Sequence, residues 1–181
     1  MKKLAAAFGT VLLLGACATP LDMIDIMAIK DKPTPTAGTA FSRALFAEYQ
    51  AQTRIESDGL GRWKDAARYA AKGLKAAEGK PPAPELVVKV TPAAPNRCSY
   101  MCVSKPEETV DWRVPEERAG ELVTARERLI AALDSGARDR APEAAARAQV
   151  MFDCWVEEEV GGRSDSECRS NFLTAESRLG R

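Results

Sequence analysis

Six prolines between residues 81 and 106 (Pro81, Pro82, Pro84, Pro92, Pro95 and Pro106) constrain this chain more than any other feature. Each removes a backbone donor and fixes φ near about −65°, so no long helix crosses the stretch. The chain therefore divides into two helix-forming regions joined by a long connection over 80–114. Glu85 to Val90 is compatible with one short edge strand, for which the sequence offers no evident partner. Connections of this length without regular structure are uncommon in compact domains and are often functional or disordered. Trp112, near the end of the connection, is expected to dock it onto the helices.

On both sides of the connection the apolar residues recur at helical spacing. Thr39 suits an N-cap for a first helix running to about Glu56, with Phe41, Ala44, Leu45, Ala51 and Ile55 as its core-facing stripe. A second helix spans roughly Arg62 to Glu78, with Trp63, Ala67, Ala70, Leu74 and Ala77 on one side. Gly79 and Pro81-Pro82 end it. Ala66, Ala67, Ala70, Ala71 and Gly73 leave a ridge with almost no side chains, along which the two helices can approach closely. Pro115 opens a third helix to about Leu133, striped by Ala119, Leu122, Ala125, Leu129, Ala132 and Leu133, and Ser135-Gly136 caps it. Pro142 opens a fourth to roughly Glu159, with Ala145, Ala148, Phe152 and Trp155 inward. Ser164 to Glu167 reads as the capping box of a fifth, where Cys168, Phe172, Ala175 and Leu179 repeat. The expected fold is all-α: about five helices in αα-hairpins, akin to helical repeats. It is not a tetratricopeptide repeat, because the first helix lacks the Trp, Leu-Gly and Tyr at their required offsets.

The N-terminus has a different character. Lys2 and Lys3 precede an apolar stretch from Leu4 to Ala16, the two leading parts of a secretory signal. That stretch is too short to span a bilayer, which needs about 20 residues. Gly15 and Ala16 suit the cramped pocket of a signal peptidase, and Leu14-Gly15-Ala16-Cys17 resembles the lipobox of bacterial lipoproteins. In such proteins the cysteine thiol accepts a diacylglycerol, cleavage falls before it, and the new amine is acylated, palmitate being a typical chain. The expected organisation is a signal peptide over 1–16, a lipidated tether over 17–37 and a helical domain over 38–181. Within the tether Leu21 to Lys30 suits a brief helix, and Asp31 to Ala37, with Pro33 and Pro35, is extended. Ala18 stands where an aspartate signals inner-membrane retention in many bacteria, which favours the outer membrane, facing the periplasm.

Composition narrows the chemistry. Lys and Arg together number 26, as do Asp and Glu, and losing Lys2 and Lys3 leaves the mature chain slightly acidic. Neither nucleic acid nor an anionic surface is an expected partner beyond the lipid anchor. The chain contains no histidine, so a Ser-His-Asp or Cys-His nucleophile cannot be built and the commonest zinc ligand is missing. Besides Cys17 there are Cys98, Cys102, Cys154 and Cys168, an even set that an exported chain pairs into two disulfides, by any of three connectivities. Cys154 and Cys168 sit at similar depths on either side of the Gly161-Gly162 turn, within the about 4.4–6.8 Å reach of a disulfide. Cys98 and Cys102 then close a short loop of their own. A four-thiolate metal site is disfavoured in an oxidising compartment, and no cofactor is expected.

Two stretches carry a family likeness. One is Thr39 to Leu45 followed by Asp65 to Leu74. The other is Ala131 to Arg138 followed by Ala146 to Glu157, with Phe152 to Trp155 its most specific part. Together, over residues 36–80 and 120–175, they resemble the N-terminal helical region of alphaproteobacterial OmpA-family lipoproteins. In that family the helical region precedes an OmpA-like domain that grips the diaminopimelate of peptidoglycan through an aspartate and an arginine. The sequence stops at Arg181 before any such domain, so the resemblance implies a lipid anchor, a helical module and the Cys154–Cys168 bridge, and peptidoglycan binding is not expected. The Cys98–Cys102 segment has no counterpart in the family pattern.

Carboxylates are the remaining reactive groups. Glu157, Glu158 and Glu159, with Glu116 and Glu117, are densest, and paired carboxylates can act on glycans. Consecutive glutamates point different ways around a helix, so a solvated charged face is the expectation. Arg138 and Arg140 flank a turn and serve solubility or the helix dipole. The expected function is a non-catalytic envelope lipoprotein, a scaffold for an unidentified envelope protein partner. The rivals are a periplasmic binder or inhibitor using the 98–102 loop, with Ser99, Tyr100, Met101 and Trp112 as contact surface, and a cell-wall glycan hydrolase using Glu and Asp. A buried carboxylate pair in a cleft favours the hydrolase.

Overall fold

Thr39 starts the first long helix as its side chain predicts. Its Oγ1 accepts from the Ser42 N–H at 3.0 Å, which satisfies one of the donors a helix N-terminus leaves free. The computed structural model describes residues 20–90, 113–163 and 167–180. Its elements are α1 (Pro20–Asp31), α2 (Ala40–Arg54), α3 (Trp63–Ala77), β1 (Val88–Val90), β2 (Arg113–Pro115), α4 (Glu116–Ala132), the single-turn α5 (Arg138–Arg140), α6 (Pro142–Val160) and α7 (Glu167–Glu176). The protein is all-α, with a single three-residue parallel ladder between β1 and β2 among the described residues. Cys17, Cys98, Ser99, Tyr100, Met101, Cys102 and Trp112, with the Ser164–Ser166 part of the expected capping box, lie outside the described residues.

The α2–α3 hairpin closes through a wide turn of π type over Ile55–Gly59. Along α3 the small-residue ridge does what its composition suggests: Ala66, Ala67, Ala70, Gly73 and Ala76 are buried. At Gly73 a Cβ would meet the Cδ1 tip of Ile29 and sit 3.1 Å from the Cβ of Tyr49, so the missing side chain gives α1 and α2 room to approach α3 there. Gly79, at φ 76°, ends α3 in a left-handed conformation that favours glycine.

α6 is the central element. Its buried residues run from Ala145 almost without interruption to Glu158, and it packs on α2 on one side and α7 on the other. A helix buried nearly all round is a core helix. The α4 stripe is buried at Ala119, Leu122, Ala125 and Leu129 and the α7 set at Cys168, Phe172 and Ala175, while Leu133 and Leu179, also buried, lie in the turns that follow the two helices. Arg138 and Arg140 donate to the carbonyls of Leu133 and Ser135, closing the turn after α4.

Several expectations need correcting. The tether over 17–37 is not a free spacer along its length: α1 docks on α3, with Ile26 and Ile29 buried in the core. The buried face of α2 is Phe41, Ser42, Leu45, Phe46, Tyr49, Gln52 and Thr53, while Ala51 and Ile55 are exposed. The face is turned by roughly 100°, one residue's rotation, because polar-tipped Tyr49 and Gln52 find partners inside. Trp63 lies at the exposed margin of α3. The second hairpin is α6–α7, since α4 meets α6 far less extensively. The strand expected near Glu85 to Val90 has a partner after all in β2, and Pro115 closes that strand, leaving Glu116 to begin α4.

Candidate functional site

Three helices bring polar side chains together at helical spacing: Tyr49, Gln52 and Glu56 on α2 and the turn after it, Asp65, Tyr69 and Lys72 on α3, and Gln149, Asp153 and Glu157 on α6. Because α2 and α3 run oppositely, these residues meet as two rungs within the seam against α6.

The first rung centres on Asp153, which is 1% exposed. Its Oδ2 accepts from the Tyr49 hydroxyl at 2.6 Å and lies 2.6 Å from Lys72 Nζ. Its Oδ1 accepts from the backbone N–H of Glu85 at 2.9 Å. Burial pushes the Asp153 carboxyl up, against the opposing pull of Lys72. Three donors on two oxygens form an acceptor-only arrangement, which holds the group as a carboxylate. Burial alone would lower Lys72, but Asp153 and Glu85, the latter 2.8 Å away, outweigh it and keep the ammonium charged. Burial, then the Asp153 charge, raises Tyr49 well above the ordinary phenol value, so its hydroxyl stays a donor.

This rung also fastens the proline-rich connection. Gln149 Nε2 donates to the Pro82 carbonyl at 2.8 Å, and Arg126 donates to the carbonyls of Glu85 and Pro84 at 2.6 and 3.2 Å. An extended segment has no internal hydrogen bonds, so its carbonyls need such donors when they are covered.

The second rung is richer in acid. Glu56, Asp65 and Glu157 each place an oxygen within 4.8 Å of the others. The Tyr69 hydroxyl donates to Glu157 Oε2 at 2.5 Å, and Arg163 pairs with Oε1. Gln52 donates to Glu56 Oε1 at 2.9 Å, and Arg62 lies 3.5 Å from Oε2. Arg62 and Arg163 face these three carboxyls. Burial, then the adjoining Asp65 carboxyl, push Glu157 up to about 8. Burial likewise raises Glu56, against Arg62. The expectation of a solvated glutamate face is therefore overturned for Glu157 and Glu158, which are 3% and 8% exposed. Burial continues along α6 to Glu158, and at this end only its last residues, Glu159 and Val160, reach the surface.

Three carboxylates are a set that a divalent cation could share. Arg62 and Arg163 lie against two of them, Glu56 and Glu157. Cys154, Cys168 and Glu158 also converge, but the two sulfurs are joined in a disulfide, with α-carbons 5.6 Å apart, and do not ligate. Around that bridge the other flank of α6 is aromatic: Phe172 lies 5.7 Å from Phe152 and 5.8 Å from Trp155 between ring centres. A shallow cavity of about 380 Å³ opens elsewhere, beside the Arg147–Glu48 pair (2.9 Å) with Glu143 and Arg178. Its charges balance within the chain.

The sequence missed Tyr49, Lys72, Asp153, Glu56, Asp65 and Tyr69. Their signal was available in the i, i+3, i+4 spacing of polar residues on three separate helices, which a search for apolar stripes passes over. No helix among the described residues is long and apolar enough to cross a membrane. Compared with known proteins, the chain matches no family model, no curated protein and no solved structure.

Proposed function

We propose that this chain is an envelope lipoprotein, anchored through Cys17 in the outer membrane and facing the periplasm. Its helical module is a non-catalytic scaffold for another envelope protein. Leu14-Gly15-Ala16-Cys17 supports the anchor, together with the likeness to the helical region of OmpA-family lipoproteins. The observation that carries the scaffold reading is the enclosure of the acidic groups on α6. Asp153 and Glu157 are 1% and 3% exposed and saturated by the chain's own tyrosines, lysine and arginine. Their interactions hold three helices and a connection together, and among the described residues both carboxyls are closed off from solvent.

One observation favours a second reading. A carboxyl raised to about 8 beside another carboxyl is the pairing a glycan hydrolase uses for its acid. Envelope fractionation and sacculus digestion separate the two. The scaffold reading expects the chain in the outer-membrane fraction, its release by Cys17→Ala, and no muropeptides from purified sacculi. Muropeptide release that is lost in Glu157→Gln, with the fold intact, establishes the hydrolase instead.

A further inference from the structure

α1 is apolar on two sides. Ile26 and Ile29 face the core, while Pro20, Ile24, Met27 and Ala28 form an exposed stripe at helical spacing. Ile24 and Met27 are 59% and 62% exposed, the two most exposed large apolar side chains among the described residues. Single exposed apolar residues are ordinary, but a stripe of them marks a contact surface.

The position of the stripe in the chain says what it meets. Cys17 precedes Pro20 by three residues, a contour of at most roughly 10 Å at about 3.3–3.6 Å per residue. If Cys17 carries acyl chains, the start of α1 cannot leave the headgroup region, whose depth is of the same order. A helix of 12 residues lying along that surface brings Ile24 and Met27 to the boundary between headgroups and acyl chains. The exposed stripe has no basic cluster: Lys30, on the flank, is paired with Asp58 at 2.6 Å, and the one charge on the stripe, the exposed Asp31, closes it at the helix end farthest from Cys17. The face therefore suits the apolar interface of a bilayer, not an anionic headgroup. A second protein is a poorer occupant, because these few side chains fall well short of the about 800 Å² per partner that a stable interface buries.

We propose that the outer face of α1 rests on the lipid bilayer as a second contact beside the acylated Cys17. The helical module then lies against the membrane instead of swinging on a free tether. The inference rests on the lipoprotein reading above.

A photo-crosslinking benzoylphenylalanine at position 27 tests it, in the full chain purified and reconstituted into phosphatidylethanolamine/phosphatidylglycerol vesicles. The intact mass of the same sample reports acylation. The expected result is an acylated chain carrying a phospholipid adduct at position 27. The adduct is lost in Ile24→Glu and absent when the crosslinker replaces Leu173 on α7. An acylated chain that crosslinks at 27 to a second copy or to its own 91–112 segment, or that gives no adduct, overturns the membrane contact and leaves the anchor standing. A chain without acyl groups overturns the anchor, and this proposal with it.

Discussion

The two flanks of α6 are held in opposite ways. Toward α7 the contact is aromatic and covalent: Phe152, Trp155, Phe172 and the Cys154–Cys168 bridge. Toward α2 and α3 it is a buried polar seam of Asp153, Glu157, Gln149 and their partners. The apolar flank gains stability roughly in proportion to the area it buries and tolerates small shifts. The polar flank gains little net energy, because desolvation offsets most of its charge attraction, but it penalises any arrangement that leaves a group unpaired. One flank supplies stability, and the other fixes which residues of α2, α3 and the proline-rich connection lie opposite α6.

The largest test of this contrast removes one member from each flank. Asp153→Ala leaves Lys72 with Glu85 alone and takes the acceptor from the Tyr49 hydroxyl and the Glu85 N–H, and it is expected to cost about 3–5 kcal/mol in denaturant unfolding. Phe172→Ala is expected to cost a similar amount, about 3–5 kcal/mol, through cavity formation. The flanks separate on rescue: Asp153→Leu combined with Lys72→Met and Glu85→Gln, which leaves no charge of the triad unpaired, should recover most of the loss, whereas no partner change restores Phe172→Ala. A triple variant no better than Asp153→Ala would mean that the seam contributes stability in its own right. Next in size, Cys168→Ser removes a bridge across 14 residues of sequence and should lower stability by about 3 kcal/mol under the loop-closure model.

Titration sharpens the comparison further, through Glu157 on the polar flank. Glu157 in the folded chain holds its proton up to about 8, above its ordinary value of 4.5. The folded state therefore binds more protons than the unfolded one between those values. Stability is full below the unfolded value and is lost as pH rises through about 8, with a limiting slope of about 1.4 kcal/mol per pH unit for one proton. Thermal melts at pH 6 and pH 8 should show the lower midpoint at pH 8, and Glu157→Gln should flatten the difference. The smallest expected effect lies away from both flanks: Thr39→Ala removes the α2 cap for about 1 kcal/mol.

The same contrast explains how much the sequence reveals. The stripes of α4 and α7 are legible because Leu122, Leu129, Phe172 and Leu179 sit at helical spacing and nothing polar interrupts them. The Cys154–Cys168 pairing is legible because both lie near one turn. The face of α2 is not, because Tyr49 and Gln52 belong inside only once Asp153 and Glu56 are placed opposite them. A polar residue is buried by its partner, and the partner of Tyr49 is 104 positions away. α1 reads as a spacer for a related reason: Ile29 enters the core beside Gly73 and Tyr49, a site that exists only after α2 and α3 have packed.

Intact-mass spectrometry of the chain purified from its native envelope tests the account most directly. The account predicts a mature terminus at Cys17 carrying a diacylglycerol and an amide-linked acyl chain. A chain that retains Met1, or one that is processed but bears no acyl groups, would contradict it.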